Sequence, residues 1–318
     1  MRELAGPAEA LAAVREAFVA LAHGEATLPG VIGLALPEHE GEVHVKGAYL
    51  HGAPTYSFKV ASGFYRNPER GLPVGAGLVL AFSAETGQLA AVLFDNGYLT
   101  ELRTGAAGAL AADLLARKRV RKAAMVGVGG QARYQLEALA GVRSPELVAA
   151  WGRDPAKAEA YAEEMRGRLG LPVEVAPSLR EAVEGADVVV TTTPSREPLV
   201  RAEWLAPGAH VTAVGSDMPE KQELDAAVLA RADKVVADRL QACLENGEIH
   251  GAVAAGAIAP EDVHAELGQI AAGERPGRES DDEITVADLT GVGVQDAALA
   301  ALVVTEAAAC GAGRPLEP

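Results

Sequence analysis

The sequence has few cysteines and fewer basic than acidic residues. Cys243 and Cys310 are the two cysteines among 318 residues. They are too few for a disulfide framework or a cysteine-based metal cluster, and this usage is typical of a reducing compartment. Twenty-eight Lys and Arg residues face 44 Asp and Glu residues, which gives a net charge of −16. That balance argues against nucleic-acid and anionic-membrane partners, because both select for basic patches.

Long apolar stretches are also lacking. Residues 1–18 predict an amphipathic helix with charged residues among its apolar ones, unlike the apolar core of a signal peptide. The apolar run Ala297–Val304 is much shorter than a membrane span and is closed by Glu306. We therefore expect a cytoplasmic protein without a membrane partner.

The pattern of short apolar segments predicts two domains of an α/β protein. After a helix over residues 8–23, strand-like segments between glycine-containing turns predict an antiparallel or mixed sheet, and a helix follows from a cap between Asn96 and Thr100. From Arg121 strands alternate with helices, which predicts a Rossmann-type doubly wound parallel sheet. We assign residues 119–290 to this domain, and residues 1–118 plus 291–318 to an α+β domain.

A glycine-rich sequence lies between the first strand and the first helix of the Rossmann-type domain. It reads Gly-x-Gly-x-x-Ala. The first glycine allows a tight turn, the second lets the backbone approach a pyrophosphate, and the alanine permits close helix packing. The alternative is a turn without a ligand, but the strand before and the helix after favour a dinucleotide site. The predicted cofactor-binding residues are Gly127, Gly129, Gly130, Gln131 and Ala132.

The end of the next strand bears on the choice of cofactor. By position, Gly152 stands where an acidic residue usually binds the adenosine ribose, and Arg153 follows it. A guanidinium next to a position that lacks the usual carboxylate suits a 2′-phosphate better than a 2′-hydroxyl. Two alternatives remain: a shift of one residue would make Asp154 the ribose ligand, or Arg153 caps the next helix. We expect NADP, with NAD possible.

Six stretches along the chain form a specific set in a fixed order: Tyr56–Lys59, Leu99–Ala106, Gly127–Ala132, Thr191–Ser195, Gly215–Asp225 and Gly277–Thr285. Together they resemble the ornithine cyclodeaminase/μ-crystallin family over nearly the whole chain. Residues 191–204 and 221–225 are most similar to its archaeal alanine dehydrogenase branch, and residues 42–50 to the ectoine-utilisation cyclodeaminase-like proteins. The resemblance implies a homodimer built through the non-Rossmann, substrate-binding domain. It also implies a nicotinamide cofactor that acts at the α-carbon of a small amino or imino acid.

The resemblance implies roles for three charged residues. Lys59 and Arg103 match positions that bind the substrate carboxylate, where Arg103 offers a two-point grip and Lys59 a mobile charge that can also donate a proton. Asp217 follows a strand of the parallel sheet and matches the family's catalytic aspartate. Each residue has an alternative role. Lys59 would be a solvated lysine on a strand, and Arg103 an exposed helix arginine paired with Glu101 or a neighbour. Asp217 would be the N-cap of a helix over residues 219–226.

One departure from the family concerns the carboxylate clamp. The ornithine cyclodeaminases have a further arginine early in the chain, whereas residues 31–36 carry no cation here. Lys46 on the next strand is the candidate replacement, and the departure argues against ornithine as the substrate. Ser216 stands where glycine or alanine is usual and narrows the pocket. Further cofactor contacts are expected at Thr104, Thr192, Thr193, Ser195, Val214, Leu289 and Thr290.

These residues leave three functions open. The first is an NAD(P)-dependent imine or ketimine reductase, or L-amino-acid dehydrogenase, which Arg153 and the missing arginine favour. The second is a cyclodeaminase, an ammonia lyase with tightly bound NAD that acts on ornithine or a related diamino acid. The third is a μ-crystallin-like binding protein without turnover. We predict no metal site, because His39, His44 and His51 do not share one face of their strands.

Overall fold

The computed structural model describes residues 1–315, which divide into two compact units. Unit 1 comprises Met1–Arg103 and the chain from Val292 onward, and unit 2 comprises Thr104–Gly291. Over residues 1–315 the helices are α1 (Pro7–Ala22), α2 (Tyr98–Leu115), α3 (Gly130–Val142), α4 (Pro155–Leu169), α5 (Leu179–Val183), α6 (Ala226–Arg231), α7 (Leu240–Glu245), α8 (Gly247–Ala254), α9 (Leu267–Ala271) and α10 (Gly293–Cys310).

The strands of the same residues are β1 (Ala26–Thr27), β2 (Ile32–Leu36), β3 (Gly41–Leu50), β4 (Thr55–Phe64), β5 (Gly75–Ser83), β6 (Leu89–Leu93), β7 (Lys122–Val126), β8 (Leu147–Trp151), β9 (Val173–Val175), β10 (Val188–Thr191), β11 (His210–Ala213), β12 (Lys234–Ala237), β13 (Ala265–Glu266) and β14 (Thr285–Asp288).

Unit 1 is built on an antiparallel sheet with the order β1-β3-β4-β5-β6, and β2 also pairs with β3. In β4 and β5 buried residues alternate with less buried ones, at Ser57 and Lys59 and at Val79 and Ala81, which is typical of a sheet with one face on a core. α10 packs on this sheet against β3, β4 and β5, and α1 packs on α10. The helices α1 and α10 are rich in alanine, and these small side chains allow α10 to approach both the sheet and α1 closely.

α10 is long and apolar enough to cross a membrane by length and composition alone, and it is the one such helix of residues 1–315. Half of it is buried inside the protein, and a core helix of a soluble protein passes the same test.

Unit 2 is a parallel sheet with helices between successive strands. The strand order is β13-β12-β14-β11-β10-β7-β8-β9. Its central strands β10, β11 and β14 are short, rich in β-branched residues and buried throughout, as expected for strands covered on both faces. The chain reverses its direction across the sheet between β7 and β10, and ligands of open α/β sheets bind at such a switch point. The predicted fold class is confirmed.

Two local predictions were wrong. Residues 219–225 form no helix; α6 begins only at Ala226, where the Asp225 carboxylate accepts a hydrogen bond from Ala227 N at 2.9 Å. The start of α2 is capped by Asp95, whose Oδ2 accepts from Leu99 N at 2.8 Å, and not by a residue from Asn96 to Thr100. In both places the aspartate nearest to the first helical turn provides the cap.

Candidate active site

The glycine-rich turn after β7 leaves backbone N–H groups open at the start of α3. Gly127 has a φ of +108°, and a Cβ at this position would lie 2.6 Å from Thr192 Oγ1. Gly129 is the N-cap of α3, no side chain caps this end, and a Cβ on Gly129 would meet nothing within 4 Å. An open helix N-terminus binds phosphate groups through its N–H groups and its dipole. The turn and Gly130, the first residue of α3, therefore fit the pyrophosphate of a dinucleotide.

The first turns of α3 are fixed by contacts within unit 2. Ala132 is fully buried, and its carbonyl accepts a hydrogen bond from the Tyr161 hydroxyl at 3.2 Å. Gln135 Nε2 donates to Gln131 Oε1 at 3.0 Å and to the carbonyl of Thr104 at 2.9 Å. Thr104 on α2 thus lies beside α3, near the predicted phosphate site.

The segment after β10 lies next to the glycine-rich turn, because β10 pairs with β7. Thr192 Oγ1 is buried and has no hydrogen-bond partner among residues 1–315. A buried hydroxyl without a partner costs free energy, so Thr192 is a candidate for a ligand contact. Thr193 N donates to Glu223 Oε1 at 2.5 Å, and the Ser195 hydroxyl donates to the carbonyl of Glu197 at 2.6 Å.

The loop after β8 contains a glycine with little space for a side chain. A Cβ on Gly152 would lie 2.6 Å from Cγ2 of Val128. Asp154 caps α4: its Oδ1 accepts from Ala156 N at 3.0 Å and from the N–H of the next residue. Arg153 is exposed. The alternative that Arg153 caps this helix is therefore wrong.

Asp217 lies in the loop after β11, at the carboxyl end of the parallel sheet. Its Oδ1 accepts a hydrogen bond from Lys221 Nζ at 2.7 Å; the lysine is buried, whereas the Asp217 side chain is 37% exposed. The preceding residue, Ser216, is buried and donates its hydroxyl hydrogen bond to Glu248 Oε1. Because no helix forms over residues 219–225, the alternative that Asp217 is the N-cap of such a helix is wrong.

Two buried glutamates hold this loop. Glu223 Oε2 accepts from Thr191 Oγ1 at 2.6 Å and from Gly215 N at 2.8 Å. Glu248 accepts from Ser216 and from the backbone N–H groups of Glu223 and the next residue, at 2.8 and 2.9 Å. Burial raises the pKa of both carboxyl groups, and the nearby Glu223 adds to this shift, so that the pKa of Glu248 is about 7. The loop that carries Asp217 is therefore held by hydrogen bonds from uncharged donors to two buried carboxyl groups.

The ends of β11 and β14 bring three predicted cofactor residues together. The register pairs Ala213 with Asp288, so Val214 and Leu289 follow on neighbouring strands, and both are buried. Thr290 Oγ1 donates to Asp238 Oδ1 at 3.2 Å. These residues lie at the carboxyl edge of the sheet, as does Asp217.

A buried charge cluster in unit 1 contains the predicted substrate-binding residues. Lys59 on β4 and Arg103 on α2 are 2% and 6% exposed. Lys59 Nζ and Arg103 Nε each lie 3.1 Å from the same oxygen, Oδ1 of Asp296 on α10, and Arg103 Nη1 donates to Gln295 Oε1 at 2.8 Å. The alternatives of a solvated lysine and an exposed arginine are therefore wrong.

The cluster carries more positive than negative charge. Lys46 on β3 lies opposite Lys59 in the register of the two strands. Burial, followed by the charges of Arg103 and Lys46, lowers the pKa of Lys59 to about 7, although Asp296 opposes the shift. Burial alone would raise the pKa of Asp296, but Lys59, Arg103 and Lys46 together hold it below its usual value. A carboxylate ligand would thus meet three cations, those of Lys46, Lys59 and Arg103, beside the single carboxylate of Asp296.

The glycine-rich turn of unit 2 and the charge cluster of unit 1 both belong to sequence segments that match one family. The profile of the ornithine cyclodeaminase/mu-crystallin family matches residues 2–311. The chain belongs to this family. The resemblance recognised in the sequence motifs is confirmed.

Relatives within the family are similar over nearly their full length. A putative dehydrogenase of Rhizobium meliloti is 49% identical over 97% of this chain and 94% of its own length. The alanine dehydrogenase of Archaeoglobus fulgidus is 42% identical over 94% and 90% of the two chains. The sequence similarity to the archaeal alanine dehydrogenases is thus confirmed.

Solved structures of the family have the same fold. The Δ1-pyrroline-2-carboxylate reductase of Thermococcus litoralis, in complex with NADH and L-proline, superposes with a TM-score of 0.95 at 32% identity, covering 99% of this chain and 98% of that one. An archaeal alanine dehydrogenase dimer with bound NAD superposes with a TM-score of 0.92 at 40% identity, covering 99% and 96%.

In this member of the ornithine cyclodeaminase/mu-crystallin family, the sequence motifs did not indicate four buried side chains beside the candidate residues. In the sequence, Gln295 and Asp296 directly precede the apolar run Ala297–Val304. Glu223 and Glu248 lie in segments that match the family, but the sequence alone does not show which groups donate hydrogen bonds to their carboxyl groups. A signal that could have directed attention to Asp296 is its position as a charged residue at the start of an otherwise apolar helix.

Proposed function

We propose that this protein is an NAD(P)-dependent oxidoreductase that reduces an imino acid to an L-amino acid. The observation that carries the proposal is the buried cluster of Lys59 and Arg103 around a single carboxylate, which suits the binding of a second, substrate carboxylate. The names of the similar proteins support it: a pyrroline-2-carboxylate reductase and an alanine dehydrogenase both act at the α-carbon of such acids.

The reaction requires one hydride and one proton. The imino carbon gains the hydride, the nitrogen gains the proton, and the C=N double bond becomes a single bond. When bound, the nicotinamide cofactor supplies the hydride. The residues of this chain have to bind the substrate carboxylate, exclude water and manage the proton.

The side chains divide these tasks. Arg103 binds the carboxylate with its planar guanidinium, and Lys59 adds a second cation. With a pKa of about 7, the Lys59 ammonium is also able to release a proton near neutral pH. We assign to Asp217 the exchange of a proton with the substrate nitrogen, since its carboxylate is partly exposed while its partner Lys221 is buried. Lys46 is our candidate for a further contact with the substrate carboxylate.

The activity is tested with purified protein and NADPH or NADH. Pyruvate with ammonia or methylamine, cyclic ketimines and glyoxylate with amines are offered in turn, and the loss of nicotinamide absorbance is followed. Steady oxidation of the cofactor in step with product formation is expected. Ammonia release from ornithine or another diamino acid, with catalytic NAD and no net oxidation, would instead identify a cyclodeaminase. Dinucleotide binding without either reaction would identify a binding protein.

We further propose that NADPH is the preferred cofactor. Gly152 provides no carboxylate for a ribose 2′-hydroxyl, Asp154 is engaged as the cap of α4, and Arg153 is exposed beside them. A guanidinium at this position suits a 2′-phosphate. The dinucleotide itself is held at the start of α3, with Thr192 and Thr104 beside it.

The cofactor proposal predicts a change in selectivity. We expect Arg153→Ala to lower kcat/KM for NADPH about tenfold or more relative to that for NADH, because a charged contact to phosphate is lost. Arg180→Ala, which removes an exposed arginine paired with Glu184, is the matched control. An unchanged ratio in Arg153→Ala would contradict the role of Arg153.

We also propose that unit 1 forms a homodimer. Large apolar side chains are exposed on its sheet: Ile32 and Leu34 on β2, and Phe94 after β6, which is 74% exposed. Apolar patches on a soluble protein mark interaction surfaces. Sedimentation equilibrium measures the mass; a monomer at micromolar concentration would contradict the proposal.

A further inference from the structure

The start of α10 is fixed against the sheet of unit 1 by a close backbone contact. A Cβ on Gly293 would lie 2.3 Å from the carbonyl oxygen of Gly47 on β3, so no other residue fits here without a shift of the backbone. The contact places the first turn of α10 on the strands that carry Lys46 and Lys59. Asp296 in this turn is 3% exposed.

The first turn of α10 provides acceptors for both cations of the cluster. Asp296 Oδ1 lies 3.1 Å from Lys59 Nζ and from Arg103 Nε. Gln295 Oε1 accepts from Arg103 Nη1 at 2.8 Å and from Val292 N at 3.2 Å, which closes the turn. Within residues 1–315, Arg103 Nη2 donates to no residue, and Asp296 Oδ2 has no hydrogen-bond partner.

This arrangement fixes the guanidinium through two of its three nitrogens. Nε and Nη1 are bonded to the helix, so the plane of the guanidinium is set, while Nη2 remains available. A buried lysine and arginine without a counter-charge would repel each other and pay the full cost of desolvation. The carboxylate between them offsets part of that cost and keeps them close together.

We propose that Asp296 is a positioning residue that holds the Lys59 ammonium and the Arg103 guanidinium in the orientation that receives the substrate carboxylate. The inference rests on the proposed function, because it assumes that these two cations bind substrate. Gln295 assists by fixing the second nitrogen of Arg103. Asp296 itself does not touch the substrate.

A second consequence concerns the proton of Lys59. The charged groups that face Lys59 come from four segments of unit 1: Lys46, Asp95, Arg103 and Asp296. Asp296 raises the pKa of Lys59, while Arg103 and Lys46 lower it. Removal of the Asp296 charge should therefore lower the pKa of Lys59 further, and the protonated form should be lost at a lower pH.

The test compares Asp296→Asn with the wild type by two measurements. The titration of the Lys59 ammonium is followed by NMR on protein labelled with ¹⁵N-lysine, and the Lys59 signal is identified by its loss in Lys59→Arg. We expect this titration to move by about one unit to lower pH. The KM for the imino acid should rise about tenfold or more, with unchanged affinity for the dinucleotide, and the alkaline limb of kcat/KM should shift with the titration.

Asp187→Asn is the matched control, because Asp187 is also a buried aspartate between two arginines, Arg117 and Arg121. It should leave both the Lys59 titration and KM unchanged. If Asp296→Asn does not fold, Gln295→Ala is measured instead. This variant frees Arg103 Nη1 but keeps the charge, so KM should rise while the Lys59 titration stays in place.

The outcomes separate the inference from the function on which it rests. An unchanged Lys59 titration in Asp296→Asn, or an unchanged KM in either variant, overturns the inference. If the wild type oxidises neither cofactor with any imino acid, the proposed function fails. In that case the NMR titration, with and without L-alanine or L-proline as carboxylate probe, still decides whether Asp296 sets the charge of Lys59 and whether these cations bind a carboxylate.

Discussion

Each unit of the molecule buries carboxylates beside its candidate residues, but with opposite consequences. In unit 1, Asp296 is surrounded by cations, and Lys59 and Arg103 overcome the effect of burial, so its pKa lies below the usual value. In unit 2, Glu223 and Glu248 meet backbone N–H groups and hydroxyls. These neutral donors do not overcome burial, and the pKa of Glu248 is about 7.

The comparison shows that, at similar burial, the charge of the partners decides whether the effect of burial on the pKa is overcome. All three carboxyl groups are almost completely shielded from water. The acid in unit 1 stays ionised and therefore orders two cations. The acid in unit 2 gains or loses a proton near neutral pH, and it does so one hydrogen bond away from the neighbour of Asp217. The first cluster is suited to binding an anion, and the second to fixing a loop.

The largest effect is expected from breaking the cluster of unit 1. Arg103→Ala should raise KM for the imino acid about a hundredfold, because a desolvated charged contact is lost. The affinity for NADPH should change little. Steady-state kinetics and fluorescence titration of the dinucleotide measure the two effects. Arg143→Ala removes an equally buried arginine, paired with Asp113, and serves as the control; normal substrate kinetics in Arg103→Ala would refute the assignment.

The acid in unit 2 should make stability depend on pH. The pKa of Glu248 is raised from 4.5 to about 7 in the folded protein. Its contribution to stability is therefore fully present below pH 4.5 and is lost as the pH rises through 7. The loss amounts to about 3 kcal/mol at most.

Glu248→Gln should abolish this part of the pH dependence. The free energy of unfolding is measured by urea denaturation at several pH values across this range. Glu245→Gln, an exposed glutamate in the preceding helix, should keep the slope of the wild type. A slope that is equally steep in Glu248→Gln would show that another group is responsible.

A smaller effect is expected at the hydroxyl that joins the loop to this acid. Ser216→Ala removes one hydrogen bond to Glu248, so the loop that carries Asp217 is less firmly held. We expect kcat to fall about threefold to tenfold, with little change in dinucleotide affinity. Ser280→Ala, in an exposed loop, is the control. An unchanged kcat would mean that the loop does not need this bond.

The sequence predicted the elements better than the contacts between them. The alternation of strands and helices from Arg121 onward is present, β8 ends directly before Gly152 as expected, and Asp154 followed by proline is a typical helix start. The glycine-rich turn also specifies its own geometry. The role of Asp296 could not be foreseen, because its partner Arg103 lies 193 residues away in the chain. Local patterns define helices and strands, whereas a buried ion pair requires knowledge of which elements meet.

The space beside Gly152 has a consequence for how cofactor preference can change during evolution. An acidic side chain at this position would favour a ribose 2′-hydroxyl, but its Cβ would meet Cγ2 of Val128 at 2.6 Å. Valine is branched at Cβ and has few rotamers with which to move aside. An acid at position 152 therefore requires Val128 to shift or to be replaced by a smaller residue. A library that varies positions 128 and 152 together samples both routes, whereas a library of position 152 alone samples only the shift.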